Sequence, residues 1–330
     1  MRVLLTGASG FIGSRVLARL VARGISTVVL VRSTSSRSLM GEGLGCVDVR
    51  EGSLGDAASL AVAMEGVTHV IHCAGKTKVL RESEFEEVNV GGTRKLLGAA
   101  IGAGVSRIVH LSSLAAVGPA RSDRPAMEGD EVRPVSAYGR SKLGAERVLL
   151  GEGGVQSLVL RPGGVYGPGD RDFLELFRAV KRGLCPMFDG GRQELTLVYV
   201  EDLVDVVVGC LDAEVEGNRI YHVANSEVVT AGELASGVAA VMGCRPWKVW
   251  LPSGLLVPLS WGAELVSRVT GRPGILGVDR RKELMASGWV CDVSRLVRET
   301  GLECRTGLRE GLERTVAWYR EAGWVGGAER

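Results

Sequence analysis

The chain has 330 residues, of which 45% are apolar, 24% charged and 47 are Gly. That length buries one large or two modest cores, and the composition excludes a disordered chain. Lys and Arg total 40 against 38 Asp and Glu, a formal net charge of +2, with aromatics at 5%; neither the basic stripe nor the stacking platform of a nucleic-acid binder is present.

Met1 and Arg2 run straight into Val3-Leu4-Leu5, so no secretory leader is expected. Short β-branched runs at residues 3–5, 27–31, 47–49, 69–73, 107–111 and 157–160 read as strands. Between them residues 11–22, 57–64, 85–103 and 137–150 read as helices. Unbroken apolar runs, without alternation, suit strands buried on both faces. The strand–helix repetition implies an α/β fold: a doubly wound parallel sheet with right-handed crossovers. After Gly169 the rhythm breaks into helix-rich sequence punctuated by Pro and Gly. We therefore expect a dinucleotide-type domain over 1–168, with parts of 195–226 returning to it, and a smaller substrate domain over 169–194 and 227–330. The smaller domain should cover the carboxyl ends of the strands, where ligands bind in this architecture.

Residues 249–261 are the most apolar later stretch, about 13 residues broken by Pro252 and Pro258. They are too short to span a bilayer and read as a buried or pocket-lining segment, with shallow membrane contact as the alternative. Seven cysteines without a C-x-x-C pair suit reduced thiols in a cytoplasm, not a disulfide framework or zinc site. His69 and His72, three apart on one strand, face opposite sides, so no metal pair is expected. His110 reads as a satisfied core histidine.

The first strand is followed by Thr6-Gly7-Ala8-Ser9-Gly10-Phe11-Ile12-Gly13. Glycines at a strand-to-helix turn let backbone amides approach a pyrophosphate, whose charge the helix N-terminus favours. The second strand ends in Val31-Arg32-Ser33, with Arg37 four residues on. An NAD site tends to carry an acid here for the ribose hydroxyls; arginines suit the extra 2′-phosphate of NADP. NADP is therefore expected, with NAD possible. Tyr138 and Lys142 are four apart and share one helix face. A free phenol has a pKa of about 10; a nearby ammonium is expected to lower it for proton exchange with a reacting hydroxyl. Ser112-Ser113 ends the fifth strand, where a hydroxyl can meet a substrate carbonyl.

Together these segments resemble an extended short-chain dehydrogenase/reductase of the NAD-dependent epimerase/dehydratase group, with its Rossmann-type sheet. Further matches are His72-Cys73-Ala74-Gly75, Val88-Asn89-Val90-Gly91-Gly92-Thr93, the run Arg161-Pro162-Gly163-Gly164-Val165-Tyr166-Gly167-Pro168-Gly169-Asp170, and Val198-Tyr199-Val200-Glu201-Asp202-Leu203. The resemblance implies Tyr138 as acid/base and Lys142 on the nicotinamide ribose. It implies Ser113 as the substrate-orienting hydroxyl, with Ser112 as fallback beside the cofactor, and Asn89 in structure or proton relay. Along the cofactor it implies Gly7, Ser9, Gly10, Phe11, Ile12, Gly13, Cys73, Ala74 and Gly75, with Pro162 and Val165 near the nicotinamide. Where the family often has Gly-Asp-Leu, this chain has Gly52-Ser53-Leu54, which leaves Ser53 and Leu54 a less charged adenine site. A homodimer through the helices at 85–103 and 137–150 is also implied.

The pattern is most similar to the dihydroflavonol reductase and 3β-hydroxysteroid dehydrogenase branches. It points to reduction of a ketone, or oxidation of a secondary alcohol, on a hydrophobic small molecule. A nucleotide-sugar epimerase or dehydratase is the alternative, and a dinucleotide-sensing regulator a third. Sugar-nucleotide members commonly have Asn three residues after the strand-six arginine and Arg seven before the Val-x-Asp aspartate; here these positions are Gly164 and Leu195. Arg171, Arg178 or Arg192 can replace them in principle. Lys76 and Lys78 read as solvated loop lysines or as a greeting for an anionic substrate. Trp247, Trp250 and Trp261 read as core or pocket wall, as do the apolar stretches 249–261 and 275–278.

Overall fold

The computed structural model describes residues 1–270 and 277–326. Six strands, β1 (Arg2–Thr6), β2 (Ser26–Val31), β3 (Asp48–Glu51), β4 (His69–His72), β5 (Arg107–Leu111) and β6 (Gln156–Pro162), join the strand Arg219–Val223 in one sheet. From one edge the order is Arg219–Val223, β6, β5, β4, β1, β2, β3, and every pairing is parallel. The strand order reverses between β1 and β4, so the connections that leave their carboxyl ends run to opposite faces of the sheet and leave a crevice there.

Period-two alternation sends successive strand residues into two separate cores. Val3, Leu5, Val29, Val31, Ile71, Val109 and Leu111 pack beneath helix α1 (Phe11–Ala22) and the helix Val200–Gly209. Leu4, Val28, Leu30, Val70 and Ile108 face the opposite layer, with α2 (Ala57–Ala63) and the helix Gly92–Gly102. Because both faces are covered, the strands carry no polar alternation. At roughly 1.5–3 kcal/mol for each fully buried aliphatic side chain, these two faces are the main source of stability.

The remaining chain builds a smaller unit with its own core of Tyr166, Leu174, Phe177, Leu234, Val238, Leu312 and Tyr319. Its sheet is centred on Glu194–Tyr199, which pairs Gly164–Tyr166, Val228–Thr230 and Gly288–Trp289. A two-stranded ribbon, Leu184–Phe188 with Trp247–Leu251, lies outside that sheet and leads into the helix Leu256–Thr270.

The expected helix over 85–103 is instead three pieces: a short turn Ser83–Phe85, a π-helical turn Glu86–Gly91, and the helix Gly92–Gly102. The widened turn has a local reason, because it carries Asn89 into the contacts described below. The expected strand over 47–49 lies at Asp48–Glu51.

Candidate active site

The dinucleotide loop is shaped by close approach. Gly7 has φ +80°, and a Cβ there would lie 2.7 Å from the Ala74 nitrogen, so β1 and β4 meet at the loop with no room for a side chain. Gly10 caps α1 in extended conformation without a side-chain hydrogen bond, and the first turn has no acid. The helix thus presents bare N–H groups and an uncompensated positive end, as a pyrophosphate requires. Ser9, Phe11 and Ile12 are partly exposed at this mouth, whereas Gly13 is buried in the helix start.

Arg32, Ser33 and Arg37 follow β2 and are exposed, and neither arginine has an ion-pair partner among the described residues. Across from them, Ser53 donates its backbone N–H to Ser59 Oγ at 3.2 Å. Leu54 packs on the helix start at Gly92, where a Cβ would come within 2.9 Å of its own. After β4, Ala74 donates its N–H to Thr6 Oγ1, and burial pushes the Cys73 thiol up to about 12, so it lines the crevice as a neutral group. Pro162 ends β6, and Val165 is partly exposed on Gly164–Tyr166.

Tyr138 and Lys142 lie on the helix Ala137–Gly151, whose N-terminus is tied down from two directions. Ser136 caps it, accepting from Gly139 N at 2.9 Å. Gly139 presses against the short turn Leu114–Ala116, where a Cβ would meet the Ala115 oxygen at 2.2 Å. Only Gly allows this approach, and it sets Tyr138 near enough to Ser113 for the serine hydroxyl to act on the phenol. Ser113 Oγ also accepts from Ala115 N at 3.1 Å.

Asn89 closes the other side, accepting from Lys76 N (2.8 Å) and donating to Lys76 O (3.0 Å) and Ser141 Oγ (2.9 Å). Gly75 lies against it; a Cβ there would be 3.1 Å from Asn89 Oδ1 and 4.0 Å from Lys142 Nζ. Lys142 donates to the Leu111 carbonyl at 2.6 Å, and burial lowers its pKa to about 8 despite the carboxylate of Glu146.

The electrostatics correct one expectation. The Tyr138 phenol is not depressed by Lys142. Desolvation, then the Glu283 carboxylate, push it up to about 12, only partly offset by the Ser113 hydrogen bond and Arg280. The hydroxyl is therefore a proton donor at neutral pH, not a phenolate.

Ser112, adjacent in sequence to Ser113, faces away. It is 4% exposed and donates its hydroxyl to Glu146, leaving Ser113 as the hydroxyl beside Tyr138. Glu146 accepts from Arg161 Nε at 3.0 Å and from Nη2 at 2.6 Å, both residues fully interior. His110 is buried as expected but is not satisfied: neither ring nitrogen has a hydrogen-bond partner among the described residues, and its ring lies 5.0 Å from that of His72.

Three residues that the sequence reading missed lie on the helix Val278–Leu284. Asp279 accepts from the N–H of Ala137 (2.7 Å) and of Tyr138 (3.2 Å), and Glu283 accepts from Ser136 Oγ at 2.7 Å. Arg280 pairs with Glu283 at 2.6 Å and bears on the Tyr138 charge. Nothing local in the sequence signals this contact across some 140 residues. Glu146 was missed too, although the spacing of four along Tyr138, Lys142 and Glu146 offers a local signal for it.

The other candidate cations are engaged. Lys76 pairs with Glu84 and Lys78 with Asp172. Arg178 pairs with Glu175, Arg192 pairs with Asp189, and Arg171 lies over the Trp324 ring at 5.4 Å. At Gly164 a Cβ would meet the Leu197 side chain at 2.6 Å, and Leu195 packs against the smaller core.

The expected apolar wall is also corrected. Trp247, Trp250 and Trp261 are 82%, 60% and 66% exposed, neither core nor a closed pocket. Of the second stretch, residues 275 and 276 lie outside the described residues. No helix among those described is long and apolar enough to cross a membrane.

The comparisons with known proteins agree with this architecture. Residues 3–224 match the NAD dependent epimerase/dehydratase family. A ceramide reductase of Caulobacter vibrioides is 29% identical over 98% of this chain and 96% of that protein. A UDP-glucose 4-epimerase of Vibrio cholerae is 27% identical over 97% and 96%. The structure of DesIV, a dTDP-glucose 4,6-dehydratase from Streptomyces venezuelae with NAD and TYD bound, superposes with a TM-score of 0.80. It is 26% identical and covers 98% of each chain. With the crevice, the glycine loop and the Ser113–Tyr138–Lys142 group in place, the chain belongs to the NAD dependent epimerase/dehydratase family.

Proposed function

We propose that the protein is an NADPH-dependent reductase of a ketone on a lipophilic small molecule. The observation that carries this reading is the placement of Tyr138 and Lys142 on one helix face, with Ser113 beside the phenol and Asn89 hydrogen-bonded to Ser141 between them. A bound nicotinamide supplies the hydride. Ser113 orients the carbonyl oxygen, and Tyr138 gives that oxygen its phenolic proton as negative charge builds there. Lys142 supplies a positive charge one turn along the helix, and Asn89 holds the Lys76 backbone and Ser141 so that this face cannot shift. The bare helix end at Gly10 and the close approach at Gly7 suit a dinucleotide. The exposed, unpaired Arg32 supports the 2′-phosphate of NADPH over the bare ribose of NADH.

The substrate class follows from what the site lacks. Among the described residues neither Gly164 nor Leu195 offers a diphosphate partner, and Arg171, Arg178 and Arg192 are engaged elsewhere. At those two positions a pair of phosphates would lose its water without gaining charged hydrogen bonds. The similarity to a ceramide reductase supports a lipid ketone. A homodimer through the helices at 85–103 and 137–150 remains part of this reading by family likeness. The test is NADPH oxidation against long-chain, steroidal, aromatic and polyketide ketones beside UDP- and dTDP-sugars. Turnover of a ketone is expected; turnover of the sugar nucleotides alone would overturn the proposal in favour of an epimerase.

A further inference from the structure

Helix Leu256–Thr270 turns apolar side chains to solvent. Leu256 and Ser260 are fully buried and Ser267 is 8% exposed, while Val257, Leu259, Trp261 and Val266 are 40–66% exposed. A helix whose outer face meets only water carries polar residues there. On the preceding strand Trp247–Leu251, Trp247 and Trp250 stand on opposite faces and both are exposed, so the ribbon and the helix together show three indoles to solvent. Scattered exposed apolar residues need no explanation, but three indoles and three aliphatic side chains exposed within 20 residues mark an interaction site.

Charge decides what kind. From Gly243 to Leu284 the sequence carries seven basic and three acidic residues, although the whole chain nets only +2. Two of those acids, Asp279 and Glu283, are turned inward onto Ser136, Ala137 and Tyr138 and pair with Lys282 and Arg280, so the outward charge at this surface is that of Arg245 and Lys248. Arg245 and Lys248 beside the indoles are exposed. Apolar and tryptophan side chains bordered by cations match the interface of an anionic bilayer, where indoles settle at headgroup depth. A second copy of the chain would set these cations against themselves.

The patch is also joined to the catalytic group. Arg281 donates to Ser260 Oγ at 3.1 Å, linking the exposed helix to Val278–Leu284, whose Asp279 caps the helix carrying Tyr138. We infer that the indole-bearing strand Trp247–Leu251 and helix Leu256–Thr270 dock the protein on an anionic lipid surface beside the active-site mouth. Docking there shortens the path of a lipophilic substrate from bilayer to crevice. The inference extends the ketone-reductase reading but does not need it, because binding to lipid can be measured without substrate.

The experiment is cosedimentation of the full chain with vesicles of equal parts phosphatidylcholine and phosphatidylglycerol, compared with phosphatidylcholine alone. Wild type should partition onto the anionic vesicles, with a blue shift of tryptophan emission, and high salt should weaken the binding. The triple variant Trp247→Ser, Trp250→Ser, Trp261→Ser should bind at least tenfold more weakly. All three indoles are exposed, so unchanged NADPH affinity and thermal melting in the variant verify its fold. Lys248→Glu should weaken binding to anionic vesicles only. The inference fails if wild type stays in the supernatant with both compositions, or if the triple variant binds as wild type does. It fails equally if sedimentation velocity without lipid shows a self-association that the triple variant loses, since the patch would then be covered by a second copy.

Discussion

Replacing Glu146 with Gln tests the buried support of the helix that carries Tyr138 and Lys142. Glu146 is 1% and Arg161 2% exposed, and the carboxylate takes two guanidinium hydrogen bonds and the Ser112 hydroxyl. Arg161 Nη1 already has no partner among the described residues. Removing the negative charge strands a buried guanidinium, which costs about 3–5 kcal/mol, or roughly 6–20 °C in Tm for a domain of this size. Denaturant unfolding followed by circular dichroism measures the loss. The double variant Glu146→Leu, Arg161→Met removes both charges and should recover all but about 1–3 kcal/mol, the cost of the Ser112 hydroxyl left without its acceptor. A Glu146→Gln protein within about 1 kcal/mol of wild type, or a double variant less stable than the single one, would refute the argument.

The same substitution has a catalytic reading. The Glu146 carboxylate raises the Lys142 pKa against the desolvation that lowers it to about 8. Lys142 keeps its ammonium below that value and loses it above, so ketone reduction should fall as pH rises through about 8 while Tyr138, near 12, stays protonated. Without the carboxylate at position 146 the ammonium is lost earlier, and the alkaline limb moves to lower pH.

Tyr138→Phe should lower turnover by about 10²–10⁴-fold with NADPH affinity unchanged, as single-turnover kinetics and fluorescence titration will show. Arg32→Ala should weaken NADPH by about one to two orders of magnitude, the worth of a charge-assisted contact at roughly 1.5–3 kcal/mol, and leave NADH unaffected; calorimetry of both cofactors checks it. Gly7→Ala should abolish binding of either dinucleotide, because its Cβ would press on the Ala74 backbone at a left-handed φ; normal titration of this variant would mean the loop is not the pyrophosphate site.

How much of this was legible depended on whether the signal was local. Helix α1 occupies Phe11–Ala22, as the glycine turn and the apolar period implied, and β5 likewise occupies Arg107–Leu111. The pattern of β5 is set by two packed faces and that of α1 by one, Val16, Leu17 and Leu20 against the sheet. At the sheet edge the pattern fails: β3 is exposed at three of its four residues, so the apolar Val47 and Val49 were a poor guide to its bounds. The π-helical turn at Glu86–Gly91 was invisible, because it is required by the reach of Asn89 to Lys76 and Ser141, not by periodicity. The indoles misled for a different reason. Hydropathy says that Trp247, Trp250 and Trp261 avoid water, but not whether a protein core or another apolar medium receives them.

The Tyr138 environment bears on the pH at which each direction of the chemistry runs. Removing a proton from an alcohol needs the phenolate, and a pKa of about 12 leaves on the order of one molecule in 10⁵ ionised at pH 7. Donating a proton to a reduced carbonyl needs the phenol, which is present throughout. The group that adds to burial in setting this balance is Glu283, brought to the helix N-terminus from the smaller domain together with Asp279 and Arg280. Glu283→Gln removes a like charge while keeping an acceptor for Ser136, so the Tyr138 pKa falls. The pH at which the phenolate forms, and with it the rise of oxidation with pH, should then move down. Rates measured in both directions with the same ketone and alcohol pair decide it: because the overall equilibrium fixes their ratio at any one pH, the change must appear as a shift of the oxidative pH profile to lower pH. An unshifted profile, with fold and cofactor affinity intact, would show that the smaller domain holds the catalytic helix without tuning its acid.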